Sequence, residues 1–216
     1  MRHPTPWLRA FVAAQATALP QEEFARMLEA IHRLHTSYCD ALQSAPPGAL
    51  RGLALHRMLD QALAIANGLH TSCRRGCCGC CHFEVEITPD EAALLAAKVR
   101  EGVVIDQDRL RLQATRPRLS PEWGRFFAPE NRCVFLGDDH ACRIYEWRPA
   151  ACRRLLVTTP PEACTTPGAA VAPVPVLIAE VLLSAALDLA GGTYASIARL
   201  LSKELDAFPT PGSSGS

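Results

Sequence analysis

From Gln21 to Leu42, side chains with an apolar or aromatic body return every three or four residues, at Phe24, Leu28, Ile31, Leu34, His35 and Tyr38. That period predicts one amphipathic helix, ended by Pro46-Pro47-Gly48. A second helix is predicted from Ala49 to Asn67, with Leu53, Leu55, Leu59, Leu63 and Ile65 mostly inward and Gly68 as its stop. Phe83 to Ile87 alternates apolar and acidic residues, as a short half-buried strand does. Thr88, Pro89 and Glu91 then form a helix-start signature, which predicts a helix from Pro89 to about Arg100.

Beyond it the pattern weakens. Glu101 to Glu130 is charged and proline-containing and reads as loop, with a helical stretch around Asp108 to Ala114. Cys133 to Leu136 is a short apolar run, Gly137 to Ala141 a polar turn, and Pro149 is placed to open a helix with Cys152 in its first turn. Thr158 to Pro173 is rich in threonine and proline and predicts an irregular segment. Val174 to Ala190 is apolar almost all round and predicts a buried helix; Tyr194 to Phe208 predicts a last one, ended by prolines. The expected fold is mainly α, a single helical domain with short strands at most around Phe83–Ile87 and Cys133–Leu136. Its expected parts are a helical region (1–72), a cysteine-rich metal-binding region (73–168), C-terminal helices on the same core (169–208) and a disordered tail (209–216).

Composition changes the picture in one respect. The chain has 216 residues, 49% of them hydrophobic, and a formal net charge of zero, so it is long enough to bury a core without covalent staples. Neutral charge gives no general reason to bind nucleic acid or an acidic membrane, and neither partner is expected. The N-terminal stretch has early positive charge and small residues, but Arg9 leaves only Ala10 to Ala14 as an unbroken apolar run, too short for an export signal. Glu180 and Asp188 likewise interrupt the most apolar segment. A soluble, cytoplasmic protein is expected. In a reducing compartment the ten cysteines point to metal or redox chemistry rather than disulfides.

Nine of those cysteines lie between Cys73 and Cys164. Cys73, Cys77 and Cys80 form a C-x3-C-x2-C spacing that can wrap three thiolates around one centre, with Gly76 and Gly79 supporting the turn. Adjacent Cys80 and Cys81 point apart in either regular backbone conformation, so a single ion is a poor fit for both. Two sites or one multinuclear centre are therefore expected, and Cys133, Cys142, Cys152 and Cys164 supply sulfur for either. Cys78 is surplus. Cys39, on an early helix, reads as a small buried hydrophobe.

Arg74, Arg75, Arg143, Arg148, Arg153 and Arg154 stand near cysteines and would offset anionic thiolates. A first-turn position would also let the helix dipole favour the Cys152 thiolate. His70, His82 and His140 flank the cysteines; His82 is the best placed to replace a sulfur. Asp138, Asp139 and His140 read as a solvated turn rather than as acid–base groups. No glycine-rich nucleotide loop, G-x-S-x-G or HExxH is present.

The stretch CRRGCCGCC from Cys73 to Cys81, then EVEITPDEAALLA, CVFL from Cys133, and CRIYEWRPAACR from Cys142 to Arg153, in that order, resembles the YkgJ-like cysteine-cluster family. That family's domain is described as chelating zinc or iron. The resemblance implies that Cys73, Cys77, Cys80, Cys81, Cys133, Cys142 and Cys152 are the family's cysteines, with Cys164 as an eighth; Cys78 departs from the pattern. The family is also similar to flagellin lysine methylases that carry an iron–sulfur cluster, so a protein-modifying enzyme stays open beside an iron–sulfur or zinc chelator and a zinc-stapled domain that binds a protein partner.

Overall fold

The computed structural model describes residues 1–64 and 71–207. Among them are eight α-helices: α1 (Pro6–Ala18), α2 (Gln21–Gln43), α3 (Ala49–Ala64), α4 (Pro89–Arg100), α5 (Gln107–Ala114), α6 (Ala150–Arg154), α7 (Leu177–Leu189) and α8 (Ile197–Ala207). Two short strands, β1 (Glu86–Ile87) and β2 (Ala195–Ser196), pair antiparallel, with Glu86 opposite Ser196. The mainly α expectation holds. The expected positions Ile65, Asn67, Gly68 and His70, together with Phe208 and the 209–216 tail, lie outside the described residues.

Local chemistry accounts for several boundaries. At α4 the Thr88 hydroxyl accepts from the Glu91 N–H while the Glu91 carboxylate accepts from the Thr88 N–H, the reciprocal cap read from the sequence. Thr5 caps α1 ahead of Pro6, a helix the sequence reading left unassigned. The other departures come from partners distant in sequence. Ala195 and Ser196, expected as helix, are drawn into a strand by β1. Cys133–Leu136 forms no strand and keeps only an isolated bridge from Leu136 to Cys142. Leu28 of the predicted apolar stripe is exposed, whereas Ile31, His35 and Leu42 are buried.

Three apolar clusters hold the helices. Ile87, Leu95, Leu110, Phe135, Ile144 and Leu201 join α4, α5 and α8 to the loop before α6. Leu42, Leu55, Leu59, Ala150 and Leu182 join α2, α3 and α7 to the start of α6. Leu8, Ile31 and Val181 seat α1 on α2 and α7. Helix α7 is buried on most of its surface, as its apolar composition requires, and its polar residues are used inside: Ser184 and Glu180 accept from the Thr5 N–H and hydroxyl, and Asp188 accepts from the Arg2 and His3 N–H groups. Among the described residues no helix is long and apolar enough to cross a membrane.

Candidate metal centre

The cysteine-rich segment is fixed first through its backbone. Ser72 N–H donates to Val157 O at 2.8 Å, and the Cys73 thiol donates to Leu155 O at 3.5 Å, so the segment runs alongside residues 155–157. Gly76 turns the chain at φ 86°, and a short 3₁₀ helix follows at Gly79–His82. That helix carries Cys80 and Cys81 and touches two further 3₁₀ turns: Pro161–Thr165, which bears Cys164, and Pro129–Asn131, which leads into Cys133. The contact with Cys164 is close enough that a Cβ on Gly79 would lie 2.6 Å from Cys164 Cβ. On the other flank Cys133 N–H donates to Cys81 O at 2.7 Å.

Cys142 reaches the group through a hairpin turn, with Gly137 N–H donating to Ala141 O and Arg143 N–H to Phe135 O, both at 2.9 Å. Cys152 arrives on α6, which has only five residues and depends on three longer helices for its place. From α4, a Glu91 carboxylate oxygen accepts the Ala150 N–H at 2.7 Å and faces His56 Nε2 of α3 at 3.2 Å. Arg153 pairs with Asp60 of α3 at 2.6 Å, and Arg154 with Glu180 of α7 at 2.6 Å. Arg153 also donates to the carbonyls of Arg148 and Glu146.

These contacts correct one expectation. Arg153 and Arg154 are bound to carboxylates and position α6, rather than offsetting thiolate charge; Arg143 donates instead to Val104 O at 3.4 Å. Among the arginines expected near the cysteines, Arg148 acts on more of the thiols than any other, and Arg75 also favours the Cys142 thiolate. The Arg148 guanidinium lies 4.1 Å from the Tyr145 ring centroid, its charge favours the thiolates of Cys80, Cys142 and Cys73, and its buried Nε has no hydrogen-bond partner among the described residues. An N–H left unsatisfied in such a place is suited to an anionic sulfur centre.

The thiols form one electrostatic neighbourhood. All nine are free and partly exposed as residues. Cys80 is the common neighbour, acting on Cys73, Cys78, Cys133, Cys142, Cys152 and Cys164 as well as on Cys81. A hydrogen bond from the Cys81 thiol brings Cys80 down to about 7 against the opposing effect of burial, and the same bond pushes Cys81 up. Burial pushes Cys133 up to about 12 and Cys152 well above the ordinary thiol value, aided by neighbouring thiolates and, for Cys152, by Glu91. The expected dipole effect on Cys152 is thus overturned: one and a half turns of helix are outweighed by desolvation.

The histidines divide. His70 lies outside the described residues. His82 is buried, stacks on Phe127 at 4.1 Å between centroids, and brings Nδ1 within 3.3 Å of Cys78 O. His140, at φ 59° in the turn, lies 3.9 Å from the Cys78 thiol, which gives the surplus cysteine a partner the sequence did not reveal. Asp138 is 99% exposed, in keeping with the solvated turn. Cys39 packs among apolar neighbours of α2, α3 and α7, with its sulfur 3.8 Å from His35 Nε2.

Among the described residues no three His, Cys, Asp or Glu side chains converge tightly enough to grip one ion as they stand. The donors nevertheless fit a thiophilic metal in kind and supply. They are soft sulfur ligands without competing disulfides, in one electrostatic neighbourhood that the charge of Arg148 reaches. Closing the group around a metal requires thiols to change rotamer and lose their protons.

Fold and site together define a helical protein whose short loops and turns gather cysteines on a framework of longer helices. Residues 72–165 match the model of the CxxCxxCC family, described as "Putative zinc- or iron-chelating domain", so the resemblance read from the sequence holds over that segment. No curated protein and no solved structure matches the chain.

Proposed function

We propose that this protein binds iron, as an iron–sulfur cluster, or zinc through clustered thiolates, with Cys73, Cys77, Cys80, Cys81, Cys133, Cys142, Cys152 and Cys164 as ligands. The observation that supports this reading is that nine free cysteines share one electrostatic neighbourhood centred on Cys80, where the Gly79–His82 turn touches the turn that bears Cys164 and the turn that leads into Cys133. The C-x3-C-x2-C spacing and the all-sulfur donor set favour iron–sulfur, since structural zinc more commonly uses paired C-x2-C hooks. The exposed Asp138–Asp139 turn supports no acid–base role beside the cysteines.

Elemental analysis for iron, zinc and acid-labile sulfide on protein purified without oxygen tests the reading. Iron and sulfide in equal amounts, in multiples of about four per chain and with broad visible absorption, mean a cluster; colourless protein with bound zinc means a thiolate zinc site. A chain that takes up neither metal, even after anaerobic reconstitution, overturns the reading.

A further inference from the structure

We infer that the cleft beside Trp123 binds a primary carboxamide, with the amide group seated among Trp123, Gln113 and Ser196 and an apolar body at the mouth against Phe83. The inference stands apart from the metal-binding reading.

The cleft lies between two parts of the chain. On one side are Val85 ahead of β1, Ser196 of β2 and Ile197 at the start of α8, fastened together by the Ile197 N–H, which donates to Val85 O at 2.9 Å. On the other are Gln113 of α5 and Trp123 of the Pro121–Gly124 turn. Counted out to its open mouth the cleft holds about 290 Å³ of free space, of which about 20 Å³ admits the centre of a water-sized group. One such group needs about 10–15 Å³ by that measure, so the interior takes one or two small polar groups and the mouth takes what carries them. Phe83, 48% exposed, stands at that mouth. Cys133 lines the cleft as well, so a bound ligand lies beside the thiols.

The chemistry of the lining selects the occupant. None of its ten residues is Asp, Glu, Lys, Arg or His, so an ionised ligand would lose its hydration there without gaining a counter-charge. Three polar side chains, each more than nine-tenths buried, keep hydrogen-bonding capacity. Trp123, 8% exposed, has no partner for its Nε1 N–H among the described residues, although the Arg116 guanidinium covers its ring at 4.8 Å. Ser196, 7% exposed, accepts the Arg199 N–H and keeps its own hydroxyl proton. Gln113, 3% exposed, donates both Nε2 protons to the Glu130 and Arg132 carbonyls, at 2.8 and 2.9 Å, and keeps its Oε1. Asn131, which also lines the cleft, is fully engaged by Arg116 and by the carbonyls of Glu122 and Arg125. Two donors and one acceptor remain. A carboxamide is the small neutral group that answers both kinds: its oxygen has two lone pairs for the Trp123 and Ser196 protons, and its NH2 donates to Gln113 Oε1.

The test uses the full chain labelled with 15N and follows its three tryptophan indole N–H resonances, that of Trp123 assigned by its absence in Trp123→Phe. The probes are benzamide and N-acetylglutamine methylamide, which carry the carboxamide on a ring and on a peptide-like body; benzyl alcohol and benzoate are the comparisons. A carboxamide is expected to shift the Trp123 resonance saturably while those of Trp7 and Trp147 stay, and the tighter of the two probes names the source, a free aromatic amide or a glutamine side chain. Ser196→Ala is expected to weaken that binding about five- to tenfold, the loss of one hydrogen bond. No Trp123 shift with either carboxamide, equal shifts of all three indoles, or benzyl alcohol or benzoate binding as tightly as benzamide overturns the inference and leaves the cleft to water. Metal content is measured on the same samples: a chain that takes up no metal and still binds the carboxamide overturns only the metal-binding reading.

Discussion

Gly79 carries a hydrogen where any other residue would place carbon against Cys164. The built Cβ would lie 2.6 Å from Cys164 Cβ and 2.9 Å from its carbonyl oxygen, and one of those is backbone, which cannot swing aside. Gly79→Ala is therefore expected to cost about 1–3 kcal/mol through overpacking and to drive Cys164 from the other thiols. Gly76 makes the informative comparison. Nothing lies within 4 Å of its built Cβ, but its φ of 86° is strained for any L side chain, so Gly76→Ala is expected to cost about 1–2 kcal/mol. Thermal melting of the metal-free variants, with zinc stoichiometry on the same samples, separates the cases: both melt lower, and Gly79→Ala loses more metal. Cys39→Ser, remote from the cluster, is expected to leave metal content unchanged. The sequence marked both glycines as turn-formers. It could not distinguish a demand for space from a demand for backbone angle, because the atom that excludes a side chain at Gly79 belongs to residue 164.

Helix α6 shows what a short element needs in order to hold a ligand. Five residues give too few internal hydrogen bonds for independent stability, so its position comes from outside. Glu91 is the central contact: one oxygen completes the cap of its own helix, and the other accepts the Ala150 N–H beside His56. Burial would raise this carboxyl, but the hydrogen bond and charge of His56 and the N–H groups of Ala150 and Thr88 outweigh it and hold the group ionised. Glu91→Gln places an amide donor among existing donors and is expected to destabilise the fold by about 3 kcal/mol in urea titrations. The same change is expected to accelerate metal loss, because Cys152 lies two residues beyond the released N–H. Half of Glu91's role was legible, since a Thr-x-x-Glu pattern before an apolar run announces a helix start. The other half depends on a contact 59 residues away. Asp60 and Glu180 were hidden in the same way, because their partners on α6 are distant in sequence.

Across the whole molecule, helix existence was legible where the chain carried a local signal: a periodic apolar face in α2, a capping signature in α4, an almost wholly apolar run in α7. Partner-dependent features, such as β2, the seat of α6 and the pairing of Cys78 with His140, were not. The same long-range polar contacts govern the response to acid. His35 of α2 lies 3.0 Å from Asp188 of α7, and burial outweighs that attraction to hold the imidazole below its ordinary value; burial lowers His82 likewise. In the unfolded chain both rings return to about 6.5, so below that pH the unfolded state binds protons that the folded state resists. Stability is therefore fully present above about pH 6.5 and declines as pH falls through the folded values. The carboxylates act in the same direction at lower pH. Burial alone would raise Asp188, but the Arg2 and His3 N–H groups and His35 hold it down, and Glu91 is held down by its own partners. Their contribution is present above the unfolded carboxyl range of about 4 and is lost beneath it. Urea midpoints of the metal-free protein are therefore expected to fall in two stages, one beginning below about pH 6.5 and one below about pH 4. His35→Gln removes one of the two rings behind the upper stage and is expected to shrink it. An unchanged upper stage in His35→Gln would assign that stage to other groups, and a midpoint that rises on acidification to pH 5 would contradict the linkage altogether.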